Sequence, residues 1–213
     1  MEWRRWWPRS TAPVDGSRWV VLDVETSGLD PARDRLLAIA AIAVRVDWAA
    51  GRLAIDLGDS FEVFLRQQEV SSRENILLHG IGAQRQTEGL PVPEALAAFR
   101  AYIGASPLLA FHAPFDQTLV NRYLRDEPGG QPPNPWLDIE QLCAVTHEQA
   151  LCRSLDEWLA HFGIECAVRH QAAADTLAEC ELLLRIWPRA APECRHWRDV
   201  EKLAARSRWV GRF

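Results

Sequence analysis

The chain has 213 residues, of which 48% are hydrophobic and 25% charged, enough to bury a sizeable core as one globular domain. Its net charge of −5 argues against a protein that holds nucleic acid by overall basic charge. No apolar run reaches the ~18 residues a membrane span needs, so no membrane partner is expected. The five cysteines, Cys143, Cys152, Cys166, Cys180 and Cys194, are odd in number and lack a C-x-x-C pair, which argues against a disulfide framework or a zinc site and fits a reducing cytoplasm.

In chain order, residues 1–17 read as a Trp/Arg-rich arm punctuated by Pro8, Pro13 and Gly16. The arm lacks the apolar core and cleavage site of a secretory signal. Its aromatic and basic residues suit stacking on bases or phosphates, although packing of Trp onto the domain surface is the plainer reading. Residues 20–24 (Val-Val-Leu-Asp-Val) form a short buried strand, and Thr26-Ser27-Gly28 supplies turn chemistry after it. Residues 36–46 read as a second strand, with their alanines leaving a helix open. Residues 47–58 read as turn and connection, and residues 60–65 alternate like a third strand, so an antiparallel meander is expected.

Helices and strands then alternate. Residues 71–79 form a short helix ended by Gly80, residues 91–103 a helix with Pro and Glu in its first turn, and residues 107–111 a buried strand. A helix over about 114–124 precedes a Pro/Gly loop at 126–135, too short for a domain linker. Residues 136–139 read as a last strand leading into a helix through Val145. Ser154 and Glu157 make a capping box for a helix ending at Gly163. The longest helix lies within 170–187, stopped by Pro188, and the basic tail to Phe213 is helical in part. The expected organisation is one mixed α/β sheet with helices around it: an arm at 1–17, the main domain at 18–190 and a tail at 191–213, packed on the domain or extending from it.

The chemistry begins at Asp23 and Glu25. Side chains two apart on a strand share a face, so both carboxylates point the same way and repel unless something neutralises them. A hard divalent cation does so naturally, though a lone D-x-E also occurs where acids simply face water. Asp116, in Phe111-His-Ala-Pro-Phe-Asp116, follows a buried strand and enters the next helix, where ligands of open α/β sheets bind. A helix dipole alone would also favour an Asp there. His170 and Asp175 would lie ~140° apart on one helix, so they converge only if His170 sits in the preceding loop. The small Gln171-Ala-Ala-Ala174 between them lets that helix approach the sheet closely. Four acids on three elements suit two divalent ions ~3.5–4 Å apart that activate water and stabilise the leaving oxygen of a phosphodiester. Histidine is the residue type fitted to take the proton of that water.

Asp23-Val-Glu-Thr-Ser-Gly-Leu29, His79-Gly-Ile81, Phe111-His-Ala-Pro-Phe-Asp116 and His170-Gln-Ala-Ala-Ala-Asp175 occur in an order and spacing that resemble the DnaQ-like, or DEDDh, family of 3′–5′ exonucleases over about residues 18–187. The resemblance implies a ribonuclease-H-like α/β fold with a mixed five-stranded sheet flanked by helices, and two Mg²⁺ or Mn²⁺ ions. It assigns Asp23, Glu25, Asp116 and Asp175 as metal ligands and His170 as general base, with Thr26, His79, Ile81 and His112 as substrate contacts. Two departures stand out: Phe111-His112 replaces the usual His-Asn pair, and Ser27 the usual second Thr. The expected activity is release of nucleoside monophosphates from single-stranded DNA or RNA 3′ ends. One alternative is an epsilon-like proofreading subunit docked on a polymerase through the arm or tail, although the sequence carries no evident short clamp-binding motif. Another is a binding module without cleavage, against which the presence of all five catalytic positions counts.

Overall fold

The computed structural model describes residues 14–210. Five strands form one sheet in the order β3-β2-β1-β4-β5. β2 (Leu36–Asp47) runs antiparallel to both of its neighbours, β1 (Arg18–Thr26) and β3 (Arg52–Phe64). β4 (Leu108–Ala110) and β5 (Trp136–Asp138) are parallel to β1. Every residue from Leu36 to Val44 is buried, so β2 lies inside the sheet with both faces covered, and its alanines belong to a strand rather than a helix.

The helices are α1 (Arg73–His79), α2 (Ala83–Glu88), α3 (Val92–Ile103), α4 (Ala113–Arg125), α5 (Ile139–Thr146), α6 (Leu155–Phe162), α7 (Ala172–Ala190) and α8 (Trp197–Ala205). Strand alternation divides the core between the two faces of the sheet. Val20, Leu22 and Val24 pack with Leu96 and Phe99 of α3 and Leu119 and Val120 of α4. Trp19 and Val21 pack with Leu142 of α5, Trp158 of α6, Leu183 and Ile186 of α7, and Val200 of α8. Asp23 and Glu25 continue the Trp19–Val21 side, so the alternation that builds the second core also turns both acids towards α7.

Three features depart from expectation. β3 begins at Arg52, inside the stretch read as connection. The pairing jumps from Ile42↔Ser60 to Ala43↔Asp56, so a bulge at Leu57-Gly58-Asp59 reverses the alternation. Leu53 and Ile55 therefore face one core while Val63 faces the other, which hides a continuous strand from a period-2 pattern. α2 was not anticipated, because its sequence Ala-Gln-Arg-Gln-Thr-Glu has no apolar stripe and its buried residue is Gln86. The Gln86 amide replaces apolar packing with hydrogen bonds: it accepts from Ser71 N–H (2.8 Å) and donates to Ser71 Oγ (2.8 Å) and the Ile81 carbonyl (2.8 Å). Pro188 does not stop α7, which runs on to a fully buried Ala190; so near the helix end, proline costs little more than its own missing N–H.

The tail takes the first of its two expected placements, packed on the domain. Cys194, Trp197, Val200 and Leu203 are buried in the same core as Trp19, and the Trp19 and Trp197 rings meet edge to face at 5.3 Å. Residues from 194 to 204 thus pack in the same core as the main domain. The reading of the arm falls mostly on residues 1–13, outside the described residues. Trp197→Ala should lower the unfolding free energy by about 3–5 kcal/mol, the usual cost of emptying a buried aromatic site. Chemical denaturation measures it, and an unchanged midpoint would place α8 outside the cooperative core.

Candidate active site

The site forms where α7 crosses the ends of β1 and β2. Asp23 and Glu25 sit opposite Ala40 and Ala38 of β2, and α7 presents buried Ala172 and Ala178 to the sheet. Thr176 donates to the Ala172 carbonyl (2.7 Å) and reaches the Ala40 carbonyl (3.4 Å). With only small side chains between them, helix and sheet come close enough to bring Asp175, in the first turn of α7, to the two strand acids. Oxygens of Asp23, Glu25 and Asp175 lie within 4.8 Å of one another.

His170 precedes α7 in a left-handed conformation (φ +62°), so it escapes the helical geometry that would separate it from Asp175. Its backbone N–H donates to Asp175 Oδ2 (2.9 Å), while its exposed side chain lines the cleft with Asp23, Glu25 and Asp175. Arg169 bonds Asp175 Oδ1 and Asp156, and the Cys166 thiol reaches the same Oδ1 at 3.4 Å.

The second wall comes from β4. Its chain turns into α4 through His112, also left-handed (φ +60°), a conformation that Asn and His adopt more readily than most residues. That tolerance lets His112 take the turn without a glycine. Asp116, buried in the first turn of α4, lies beside Asp23 but outside the tight set of three. Asp138, at the end of β5, accepts from the backbone N–H of both His112 (3.1 Å) and Glu140 (2.9 Å). Acids thus gather at the C-terminal ends of all three parallel strands, the binding edge of an open α/β sheet.

Glu179 also reaches the cleft and was not anticipated. It lies one turn beyond Asp175 on α7 at 2% exposure and accepts from the Phe111 N–H (3.1 Å). Its spacing held the signal, since residues i and i+4 share a helix face, but a mid-helix Glu ordinarily reads as solvent-facing.

Burial makes these acids hard to ionise. The Asp23 carboxyl is pushed up to about 8, first by burial and then by Asp175, with Arg169 and the Val24 N–H opposing. Glu25 is pushed up to about 9 by burial, Asp23 and Asp175, against the Ala172 N–H. Asp116 and Glu179 are raised by burial and then by Asp23. An all-oxygen donor set of mutually repelling carboxylates fits a hard divalent cation.

The residues expected to touch substrate fall into two groups. Thr26 donates to the Gly28 carbonyl (2.5 Å), and its own carbonyl accepts from Asn75 Nδ2 (2.9 Å). His79 Nδ1 accepts from the Ile81 N–H (3.0 Å), which requires Nε2 to carry the proton it donates to Asn75 Oδ1 (2.7 Å). Burial lowers the His79 pKa, in keeping with a neutral ring. At 2% exposure and with both nitrogens engaged inside the protein, His79 braces α1 against the strand end that carries Thr26. Ile81, at 3% exposure, packs on Leu37, Ala38 and Phe64. His112 is different: its side chain is 55% exposed, with Nε2 3.4 Å from Glu140 Oε2.

The raised carboxyls of Asp23 and Glu25 set the sign of the pH dependence. Between the unfolded values near 4 and the folded values of about 8 and 9, the folded protein holds protons the unfolded chain has lost. Stability therefore falls as pH rises through that window. In EDTA the thermal midpoint should drop from pH 6 to pH 9, and Asp23→Asn should flatten the slope. Added Mg²⁺ or Mn²⁺ should raise the midpoint more at pH 8 than at pH 6. Calorimetry across pH checks this; a midpoint rising with pH in EDTA would contradict it.

An exonuclease family model (RNase_T) matches residues 20–183. The DNA polymerase III PolC-type protein of Halalkalibacterium halodurans is 30% identical over 82% of this chain and 12% of its own length. The DNA polymerase III subunit epsilon-like protein of Rhodobacter capsulatus is 30% identical over 83% of this chain and 24% of its own. Among solved structures, E. coli Exonuclease I in complex with a dA16 oligonucleotide superposes with a TM-score of 0.65 at 18% identity, over 87% of this chain and 45% of that one. The chain thus spans a quarter or less of these sequence relatives.

Proposed function

The chain belongs to the exonuclease family, and from that premise we propose that it hydrolyses phosphodiester bonds at the 3′ ends of single-stranded nucleic acid, releasing nucleoside monophosphates. The observation that carries this reading is the convergence of Asp23, Glu25 and Asp175 within 4.8 Å, beside Asp116 and below an exposed His170. Two Mg²⁺ or Mn²⁺ ions held by Asp23, Glu25, Asp116 and Asp175 would supply Lewis-acid activation of the attacking water and of the leaving oxygen.

The chain's own residues do the rest. His170 takes the proton of the attacking water. Its backbone N–H is fixed by Asp175, so one carboxylate sets both a ligand position and the base. Thr26, at the strand end beside the acids, would meet the terminal nucleotide, with the buried Ile81 and His79 supporting that strand end from beneath, and His112 would contact it from the cleft. The oligonucleotide complexes of Exonuclease I support single-stranded DNA as the polymer, and RNA 3′ ends are the second candidate. The PolC-type and epsilon-like relatives support a second reading, a proofreading unit joined to a polymerase. Either role places the protein in the cytoplasm, and the five cysteines, all free, accord with a reducing compartment.

Purified protein given 5′-labelled single-stranded DNA and RNA with Mg²⁺, Mn²⁺ or EDTA should produce a metal-dependent ladder shortening from the 3′ end. Asp175→Ala should abolish it with the fold intact, and His170→Ala should slow it by roughly 10²–10⁴-fold, the usual worth of a general base. Normal turnover in folded Asp175→Ala protein would sink the metal-site assignment.

A further inference from the structure

Among the described residues that line the cleft, one guanidinium, Arg169, faces five carboxylates: Asp23, Glu25, Asp156, Asp175 and Glu179. Its position is asymmetric. Nε donates to Asp156 Oδ1 at 2.5 Å, on a side chain 64% exposed, while Nη1 bonds Asp175 Oδ1, on a side chain only 8% exposed. Its inner contact therefore neutralises a buried acid and its outer contact a solvated one. Exposed ion pairs contribute little and buried ones are costly to break, so Asp175 holds the energetically important end and Asp156 acts as a tether.

A cation coordinated by Asp23, Glu25 and Asp175 needs an oxygen of Asp175, and Oδ1 is the one Arg169 holds. Asp175 Oδ2 is already committed to the His170 N–H at 2.9 Å. A guanidinium on Oδ1 and a divalent ion shared with Asp23 and Glu25 compete for the same charge.

Building on the metal-site reading above, we propose that Arg169 is the resident counter-cation of this cleft and exchanges with the divalent ion. In the ion-free protein it neutralises Asp175. As the ion binds, Nη1 leaves Oδ1 and the side chain stays at the mouth of the cleft on its Asp156 tether. Arg169 is a positioning residue: it acts on the cation through Asp175, and it raises the free-ion concentration at which the site fills. The exchange leaves Asp175 paired with a cation in both states.

The test is calorimetric titration of MnCl₂ into the unchanged protein, Arg169→Gln and Arg169→Lys, with thermal midpoints in EDTA alongside. Removing the competitor should tighten Mn²⁺ binding about five- to tenfold, the lower end of ordinary couplings between two sites, and lower the midpoint in EDTA. Arg169→Lys keeps the charge and should bind Mn²⁺ nearly as the unchanged protein does. Equal or weaker binding by Arg169→Gln, while the unchanged protein binds Mn²⁺, overturns the exchange and leaves the metal site standing. Absence of Mn²⁺ binding by the unchanged protein overturns both. Should Arg169→Gln not fold, arginine side-chain NMR of the unchanged protein decides: Mg²⁺ should shift the Arg169 Nε–H resonance, and an invariant resonance overturns the exchange.

Discussion

Asp23 and Glu25 face Asp175 across the gap between a strand and a helix, and this opposition of like charges away from water constrains much of what surrounds it. Strand alternation fixes the two β1 acids on the same side as Trp19 and Val21, away from the core that α3 and α4 cover. The small residues along α7 and β2 then bring Asp175 to them rather than holding it off. Such a cluster is tolerable only with compensating charge or retained protons. In the ion-free protein that compensation is partial: Arg169 and a few backbone N–H groups act on the acids, and the carboxyls of Asp23 and Glu25 remain far above their ordinary range.

The backbone bends where the chemistry requires it. Among the described residues, His112 and His170 are the non-glycine residues with positive φ, and both line the cleft. Such conformations persist where surrounding contacts over-determine them. His112 is held through its N–H by Asp138, and His170 through its N–H by Asp175. In both places a carboxylate fixes the backbone that presents an imidazole to the cleft. The rigidity of the site thus comes from the acids and strand ends together rather than from any one loop.

Much of this was legible in the sequence because it depends on period and punctuation. The Val20–Val24 run, the capping box at Ser154 and Glu157, and the alanines before Asp175 each state a local preference that the packing keeps. What stayed hidden depended on partners far along the chain. The bulge at Leu57-Gly58-Asp59 reverses the faces of β3 and so erases its alternation. α2 is held by the hydrogen bonds of Gln86 rather than by an apolar stripe. Glu179 reads as a solvent-facing helix acid until the Phe111 N–H is brought to it. His79 was legible as part of a motif but not as a brace, because its two ring bonds to Asn75 and Ile81 are a tertiary fact.

The central claim is that the convergent carboxylates exist to hold divalent cations. Anomalous diffraction from crystals grown with Mn²⁺ tests it most directly. The account predicts strong anomalous peaks bounded by Asp23, Glu25, Asp116 and Asp175, with Arg169 withdrawn from Asp175. Well-ordered acids with no peak among them at millimolar Mn²⁺, and Arg169 still on Asp175, would contradict it.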